Sequence, residues 1–476
     1  MPADIQHVVV LMLENRSFDS MLGRLYPPSG AFNGLTLNET NYYGLTYGVW
    51  NDPNMTPAAF SIPDPDPYEL FEDMNEQLFG NRDRRDRRAN MAGFAQNYGA
   101  PQPSSGYRDP GAVMHYFDPV RQIPSISNLA TAFGVCDDWY ASAPCQTWPN
   151  RFFAHTGTAL GYVDNHTFPM PFDAPSIFRR LEDNRKDWRV YFHDMPQSIL
   201  LRDVWLYAPS HYRFFGQFLA DAHAGVLPSY SFIEPRYFAN LFINHHPNDQ
   251  HPPHNVLYGE QLIVQVYNAV RSSRCWKNTL LVITYDEHGG LYDHVPPPPA
   301  TPPDANVNTK YKFAFDTYGV RVPAVLVSPW IPPGSRIRSP GYPVGDGPRT
   351  GRPFDHTSII KTVREVFSLG GQLTARDNVA PSLTPALSLA APNNDGPASL
   401  ASTLDKPDPG VFESLGQAVP NAMQAMLASA AAALPTTAPA TEAQIPNAVT
   451  PDARRYATIA TAQAAATACT KAFLGL

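Results

Sequence analysis

Thr279 to Pro299 reads TLLVITYDEHGGLYDHVPPPP, and the change of character halfway along it decides the fold. Leu280, Leu281, Val282 and Ile283 form a short apolar run rich in β-branched residues, the pattern of a buried strand. Asp286, Glu287 and His288 then arrive together, followed by Gly289, Gly290, Asp293, His294 and a run of prolines. A core strand has no packing use for adjacent carboxylates at its tip, because an unpaired buried carboxylate is costly. In open α/β sheets, ligands bind outside the carboxyl ends of the strands. A polar loop accounts for any one of these acids taken singly. The DEHGG cluster directly after a buried strand reads instead as a metal or catalytic site.

The N-terminal stretch repeats this logic. His7 to Leu13, HVVVLML, is a continuous apolar run and predicts a strand buried on both faces. It ends in Glu14-Asn15-Arg16-Ser17-Phe18-Asp19, and Ser17 is placed to cap a helix containing Met21 and Leu22. Capping and turn chemistry would explain Glu14 and Asn15 alone. Two strands with acidic tips weaken that explanation.

Ala141 to Gly161, ASAPCQTWPNRFFAHTGTALG, is the third informative stretch. Pro149 suits the first turn of a helix, and Phe152 to Ala159 has helical character. Thr147 then sits just before a helix N-terminus, where amide N–H groups and the macrodipole favour an anion. A hydroxyl there suits nucleophilic attack on phosphate if a metal lowers its pKa; an N-capping threonine is the ordinary alternative. Asn244 to His254 carries His245, His246, Asp249, His251 and His254 in a Pro-rich loop, a density that suits metal ligation or phosphate binding. His356 follows Asp355 at the start of a helix running through Val363 and Phe367.

The rest of the chain frames these stretches. Strands are expected at Val135–Tyr140, Trp188–Phe192, Tyr230–Glu234 and Val320–Ser328. Helices are expected at Ile123–Phe133, Ser176–Asp183, Phe214–Ala224 and Asn255–Arg271. Residues from about 26 to 112 read as an irregular insertion with short helices, such as Pro67–Leu78, shaping the mouth of the pocket. Beyond about Ala390, Ala, Pro, Ser and Thr dominate. Met423–Leu434 and Tyr456–Phe473 predict a C-terminal Ala-rich helical appendage over 391–476, packed on the core of the 1–390 catalytic domain or mediating homo-oligomer formation.

The 476 residues are 43% hydrophobic and 12% aromatic, the composition of a folded globular protein. The 50 prolines argue for long ordered loops around a compact core. A net charge of −8 disfavours nucleic acid as a partner. The run Arg82 to Arg88 is interrupted by acids and reads as a solvated loop or helix. Cys136, Cys145, Cys275 and Cys469 show no CxxC spacing, against a zinc ribbon or thioredoxin motif. No stretch is long and apolar enough to span a membrane, and no basic n-region precedes the first apolar run. A soluble protein without a Sec signal is expected, cytoplasmic or exported by another route.

Taken together, ENRSFDSMLG (Glu14 to Gly23), TWPNRFFAHTGT (Thr147 to Thr158), EPRY (Glu234 to Tyr237), NDQHPPHNVLYGE (Asn248 to Glu260), TYDEHGGLYDHV (Thr284 to Val295), GVRVPAVLVSPWI (Gly319 to Ile331) and FDHTSIIKTV (Phe354 to Val363) resemble, in order, the phosphoesterase family of non-specific phospholipases C and related acid phosphatases. The resemblance implies an alkaline-phosphatase-like α/β fold with a central, mostly parallel sheet flanked by helices. It implies that Glu14, Asn15, Asp286 and Glu287 ligate one divalent metal ion, with Thr147 as nucleophile and further ligand. It makes His251, His254 and His356 active-site histidines that bind phosphate oxygens or protonate the leaving group, with Asn150 and Arg151 assisting. An oxygen-dominated ligand set favours Ca²⁺ or Mg²⁺, while the nearby histidines keep Zn²⁺ and Mn²⁺ open.

The implied reaction is phospholipase C cleavage of lipids such as phosphatidylcholine through a phosphothreonine. Aromatic loops such as Tyr42 to Trp50 would make transient membrane-surface contact. A broad acid phosphatase acting on phosphomonoesters is the alternative. A protein that only binds phospholipid or metal would have no need of the nucleophile.

Overall fold

The apolar run His7–Leu13 forms β1, with every residue after His7 buried. The remaining strands of the computed structural model are β2 (Thr40–Tyr43), β3 (Leu45–Gly48), β4 (Gly134–Cys136), β5 (Trp139–Tyr140), β6 (Trp188–Phe192), β7 (Tyr212–Phe214), β8 (Tyr230–Ile233), β9 (Thr279–Tyr285), β10 (Ala324–Val327), β11 (Ser335–Arg336) and β12 (Phe354–Asp355). The structure describes all residues except 1–3, 81–87, 102–107, 240–244, 343–349, 403, 405–416 and 453–455. Of the basic run Arg82 to Arg88, only Arg88 lies within the described residues, and Asn244 lies outside them.

Eight strands make one sheet in the order β11-β4-β10-β9-β1-β8-β6-β7. All run parallel except β10, which is antiparallel to both its neighbours. This is the mostly parallel sheet the resemblance implies. All seven residues of β9 are buried, as the continuous apolar pattern requires of a central parallel strand. Each buried Val, Leu or Ile contributes roughly 1.5–3 kcal/mol by leaving water. Helices pack on the sheet, including Pro124–Ala132, Phe215–Ala224, Val256–Ser272 and Thr357–Phe367.

Several expected elements differ in extent, three of them for a visible reason or by a shifted start. Val135–Tyr140 is not one strand: β4 lies in the main sheet, and β5 leaves it to pair with β12. The break falls at Asp137, whose backbone oxygen accepts from Arg321 at 2.8 Å and whose carboxylate binds Arg338. The strand expected from Val320 shortens to Ala324–Val327, because Arg321 turns into a buried ion network and Pro323 has no N–H for the ladder. The helix expected from Pro67 starts at Phe71.

The C-terminal helices Ala422–Ala433 and Ile459–Leu474 pack on each other and on the catalytic region. Met426, Leu427 and Phe473 join the main apolar core, and Phe473 meets Trp205 edge-on at 5.3 Å. No helix among the described residues is long and apolar enough to cross a membrane. Cys136 and Cys145 are free thiols.

Candidate active site

β1 and β9 pair in register from His7 opposite Thr279 to Leu13 opposite Tyr285. The next residues along, Glu14 and Asp286, therefore emerge side by side at the carboxyl edge of the sheet. The Asp286 amide donates to the Leu13 carbonyl at 3.2 Å. Asp286 Oδ1 accepts the amides of Asn15 at 3.0 Å and Glu287 at 2.7 Å. Asn15 holds a φ of 53°, a left-handed conformation that asparagine tolerates better than most residues. Gly289, at φ 62°, passes so close that a Cβ there would lie 2.3 Å from the Asn15 carbonyl oxygen. The DEHGG glycine thus allows one strand tip to fold over the other.

Burial shapes the electrostatics. Glu14, Asn15, Asp286 and Glu287 are fully buried. Burial, and then the neighbouring Asp286 charge, push both Glu14 and Glu287 well above the usual carboxylate range. Glu14 Oε2, Asn15 Oδ1 and Glu287 Oε1 are buried oxygens without a hydrogen-bond partner. Unpaired buried oxygens of this kind are costly, and they are the donor type that a hard cation takes. The residues present therefore fit a divalent ion.

Thr147 opens the helix Thr147–Thr156, with Gln146 at the N-cap. The threonine is thus the first helical residue rather than the residue before the helix. Helical spacing places Thr147 and Arg151 on one face, a turn apart. Arg151 reaches the strand tips: Nη2 lies 2.7 Å from Glu14 Oε1, and Nε lies 3.2 Å from Asp286 Oδ2. Nη2 also donates to the Met12 carbonyl at 3.1 Å. The guanidinium stands between the two acids, and Glu14, Asp286 and Glu287 do not bring one oxygen each within 4.8 Å of one another. Asn150 serves its own loop, its Nδ2 donating to the carbonyls of Ala143 at 3.1 Å and Cys145 at 2.6 Å.

The histidines divide. His254 Nδ1 lies 2.7 Å from Asp249 Oδ1, and the Asp249 carbonyl accepts the Glu14 amide at 2.8 Å, which ties this loop to the first tip. His251 lies 3.6 Å from Asp66 and 3.9 Å from Glu69. Burial opposes charging of His251, but Asp66 and Glu69 outweigh it and raise its pKa to about 9. The ring of His356 is held at both nitrogens: Trp139 Nε1 donates to Nδ1 at 3.3 Å, and Nε2 lies 2.6 Å from the Asp286 carbonyl oxygen. Burial lowers its pKa to about 4, so it is neutral and fixed in one tautomer.

Several residues of this site carry no clear sequence signal. Glu69 accepts from Asn15 Nδ2 at 2.7 Å, and Asp66, Glu69 and His251 bring ligand atoms within 4.8 Å of one another. Burial and then Glu287 raise the Glu69 pKa well above the usual range. The acids in the proline-rich stretch DPDPYE, from Asp64 to Glu69, were the available hint. Gln197 Nε2 donates to Glu14 at 2.7 Å and is itself fixed by its amide to Glu234 at 2.7 Å. His288 bridges Gln77, 2.8 Å from its Nε2, and the Glu287 carboxylate, 3.2 Å from its Nδ1. Asp293 and His294 join Asp19 and Arg321 in a second buried cluster, where Arg321 lies 2.9 Å from Asp293 and 3.0 Å from Asp19. The arginine already supplies the cation there, which makes that cluster a structural pin for the loop.

A family model described as the phosphoesterase family matches residues 5–370. Non-specific phospholipase C1 of Arabidopsis thaliana is 37% identical over 386 residues, covering 78% of this chain and 69% of that protein. Non-specific phospholipase C3 of the same plant is 35% identical over 410 residues, covering 83% and 76%. Phospholipase C A of Mycobacterium tuberculosis is 29% identical over 476 residues, covering 88% and 83%.

Proposed function

The chain belongs to the phosphoesterase family and is a phosphoric ester hydrolase of the phospholipase C type, and we propose that it cleaves glycerophospholipids such as phosphatidylcholine in a metal-dependent reaction through a phosphothreonine at Thr147. The observation that carries this reading is the Thr147–Thr156 helix. It presents a hydroxyl at its N-terminus, on the face whose next turn touches Glu14 and Asp286.

Glu14, Asn15, Asp286 and Glu287 would hold the ion, together with Thr147, and Glu69 buttresses Asn15. A bound divalent cation supplies Lewis acidity, lowering the hydroxyl pKa and offsetting phosphoryl charge. Thr147 Oγ, ionised with its proton lost to solvent, attacks phosphorus in line, while its own backbone amide at the helix N-terminus holds a non-bridging oxygen; the Trp148 amide is taken by Asn165 and Pro149 has none. The bond from phosphorus to the diacylglycerol oxygen breaks. His251, which keeps a proton at neutral pH, or His254 on Asp249, protonates that oxygen. Water then cleaves the phosphothreonine diester and releases phosphocholine, with the deprotonated histidine as base. His356 acts as a positioning residue that fixes the Asp286 backbone through its ring.

Membrane contact is part of the same proposal. The β2–β3 hairpin presents Tyr42 and Leu45 at 64% and 69% exposure. Apolar side chains at a turn suit transient insertion among headgroups. The deciding experiment compares turnover of phosphatidylcholine with that of a soluble phosphomonoester. Preferential cleavage of the diester to diacylglycerol and phosphocholine is expected. Turnover of the monoester alone would establish the acid phosphatase alternative instead.

A further inference from the structure

Beyond β1 and β8 along the same rim of the sheet, a cavity of about 450 Å³ opens between β6, β7 and the helices Phe215–Ala224 and Val256–Ser272. One wall is apolar, built from Phe192, Phe214, Phe215 and Leu219. The polar lining includes Arg236, Asn248, His193, His245 and His246, and no Asp or Glu lines the cavity among the described residues. Arg236 Nη1 donates to the His246 carbonyl at 3.2 Å. Its nearby carboxylates are committed elsewhere. Asp194 accepts the amides of Met195, Tyr237 and Phe238 at 2.8–3.0 Å, and Asp249 accepts from His251 and His254. Burial accordingly lowers the Arg236 pKa, with those acids opposing only from a distance. A half-buried guanidinium without a carboxylate in ion-pair contact can receive an anion.

We propose that this cavity is a second lipid site that takes an anionic amphiphile, a phosphate or carboxylate carried on an aliphatic chain. The head sits on Arg236, and the chain lies along Phe192, Phe214 and Phe215. Asn248 joins the cavity to the catalytic loop, since its chain neighbour Asp249 holds both His254 and the Glu14 amide. The proposal does not depend on chemistry at Thr147.

The test is direct titration of the full chain with dihexanoyl phosphatidate, decanoate, inorganic phosphate and dihexanoyl glycerol, with phosphocholine present to fill the catalytic site. Both anionic amphiphiles should bind, and phosphate or the uncharged lipid should bind about tenfold or more weakly. Arg236→Gln should weaken amphiphile binding by a similar factor. Gly216 lines the cavity, and a Cβ there meets no atom within 4 Å. Gly216→Leu should therefore fold normally, block the site and leave monoester turnover unchanged. The proposal is overturned if the wild-type chain binds neither amphiphile, if phosphate binds as tightly as phosphatidate, or if Gly216→Leu with a native melting curve binds as the wild type does.

Discussion

The backbone amide of Asn15 donates to the carboxylate of Asp286 at 3.0 Å, across 271 residues of sequence. This bond joins the two acidic strand tips into one site. It follows from the in-register pairing of β1 with β9, which leaves Glu14 and Asp286 as the first residues past a shared edge. Glu14, Asn15 and Glu287, the residues next to this bond in the two tips, each carry a buried oxygen without a hydrogen-bond partner.

Metal content should follow the tips rather than the neighbouring acid group. Elemental analysis of dialysed protein is expected to give one divalent ion per chain, lost in Glu287→Gln. Asp66→Asn removes a member of the Asp66–Glu69–His251 group and should retain the ion. The opposite pattern would move the ion to the insertion.

Arg151 is wedged between buried acids, and removing it leaves charges without a partner. Arg151→Met should cost about 3–5 kcal/mol of stability in metal-free protein, the usual consequence of breaking a buried ion pair. Urea denaturation with and without added divalent ion checks this. The loss should shrink when the ion is present, because a cation then offsets the same carboxylates.

The stability contributed by two buried histidines should fall as pH drops below neutrality, against the opposite contribution of the raised carboxyls of Glu14, Glu69 and Glu287. Burial, and then Arg151 and His356, push His155 down to about 3; burial and then Arg16 do the same to His115. The unfolded chain takes up these protons near the ordinary value of 6.5 and the folded chain only near 3. Between those values the unfolded state binds more protons, so stability is complete above about 6.5 and declines toward 3. Each histidine then costs about 2 kcal/mol at pH 5 relative to pH 7. His155 packs against Phe178 and Phe232. His155→Phe should lose less stability than wild type between those two pH values in urea titrations, and an equal loss would remove His155 from this account.

The exposed hairpin tip should matter only at an interface. Leu45→Asp is expected to slow hydrolysis of phosphatidylcholine in vesicles several-fold while leaving a short-chain monomeric substrate untouched, since it removes apolar area from the membrane contact. Equal rates for Leu45→Asp and the wild type on vesicles would exclude the hairpin from lipid engagement.

The part of the fold legible in the sequence was the part built on periodicity and charge contrast. The apolar runs at His7–Leu13 and Thr279–Tyr285 are strands, and the acids that end them meet. Ser17 caps the helix that follows the first tip, as its position suggested. Asp66, Glu69 and Gln197 were not legible as site residues, because irregular loops and a single 3₁₀ turn carry no repeat that says where a side chain points. The break between β4 and β5 was hidden for a related reason. Local apolar pattern favours one strand there, and distant Arg321 and Arg338 pull Asp137 out of it.

The central claim is that Thr147 becomes covalently phosphorylated during turnover. The most direct measurement is mass spectrometry of peptides from enzyme acid-quenched while hydrolysing phosphatidylcholine, run beside Thr147→Ala. The account predicts a phosphocholine adduct on the peptide containing Thr147, absent from the variant, which should retain its fold and metal while losing about a thousandfold or more in rate. Near-normal turnover by Thr147→Ala, or an adduct on another side chain, would contradict it.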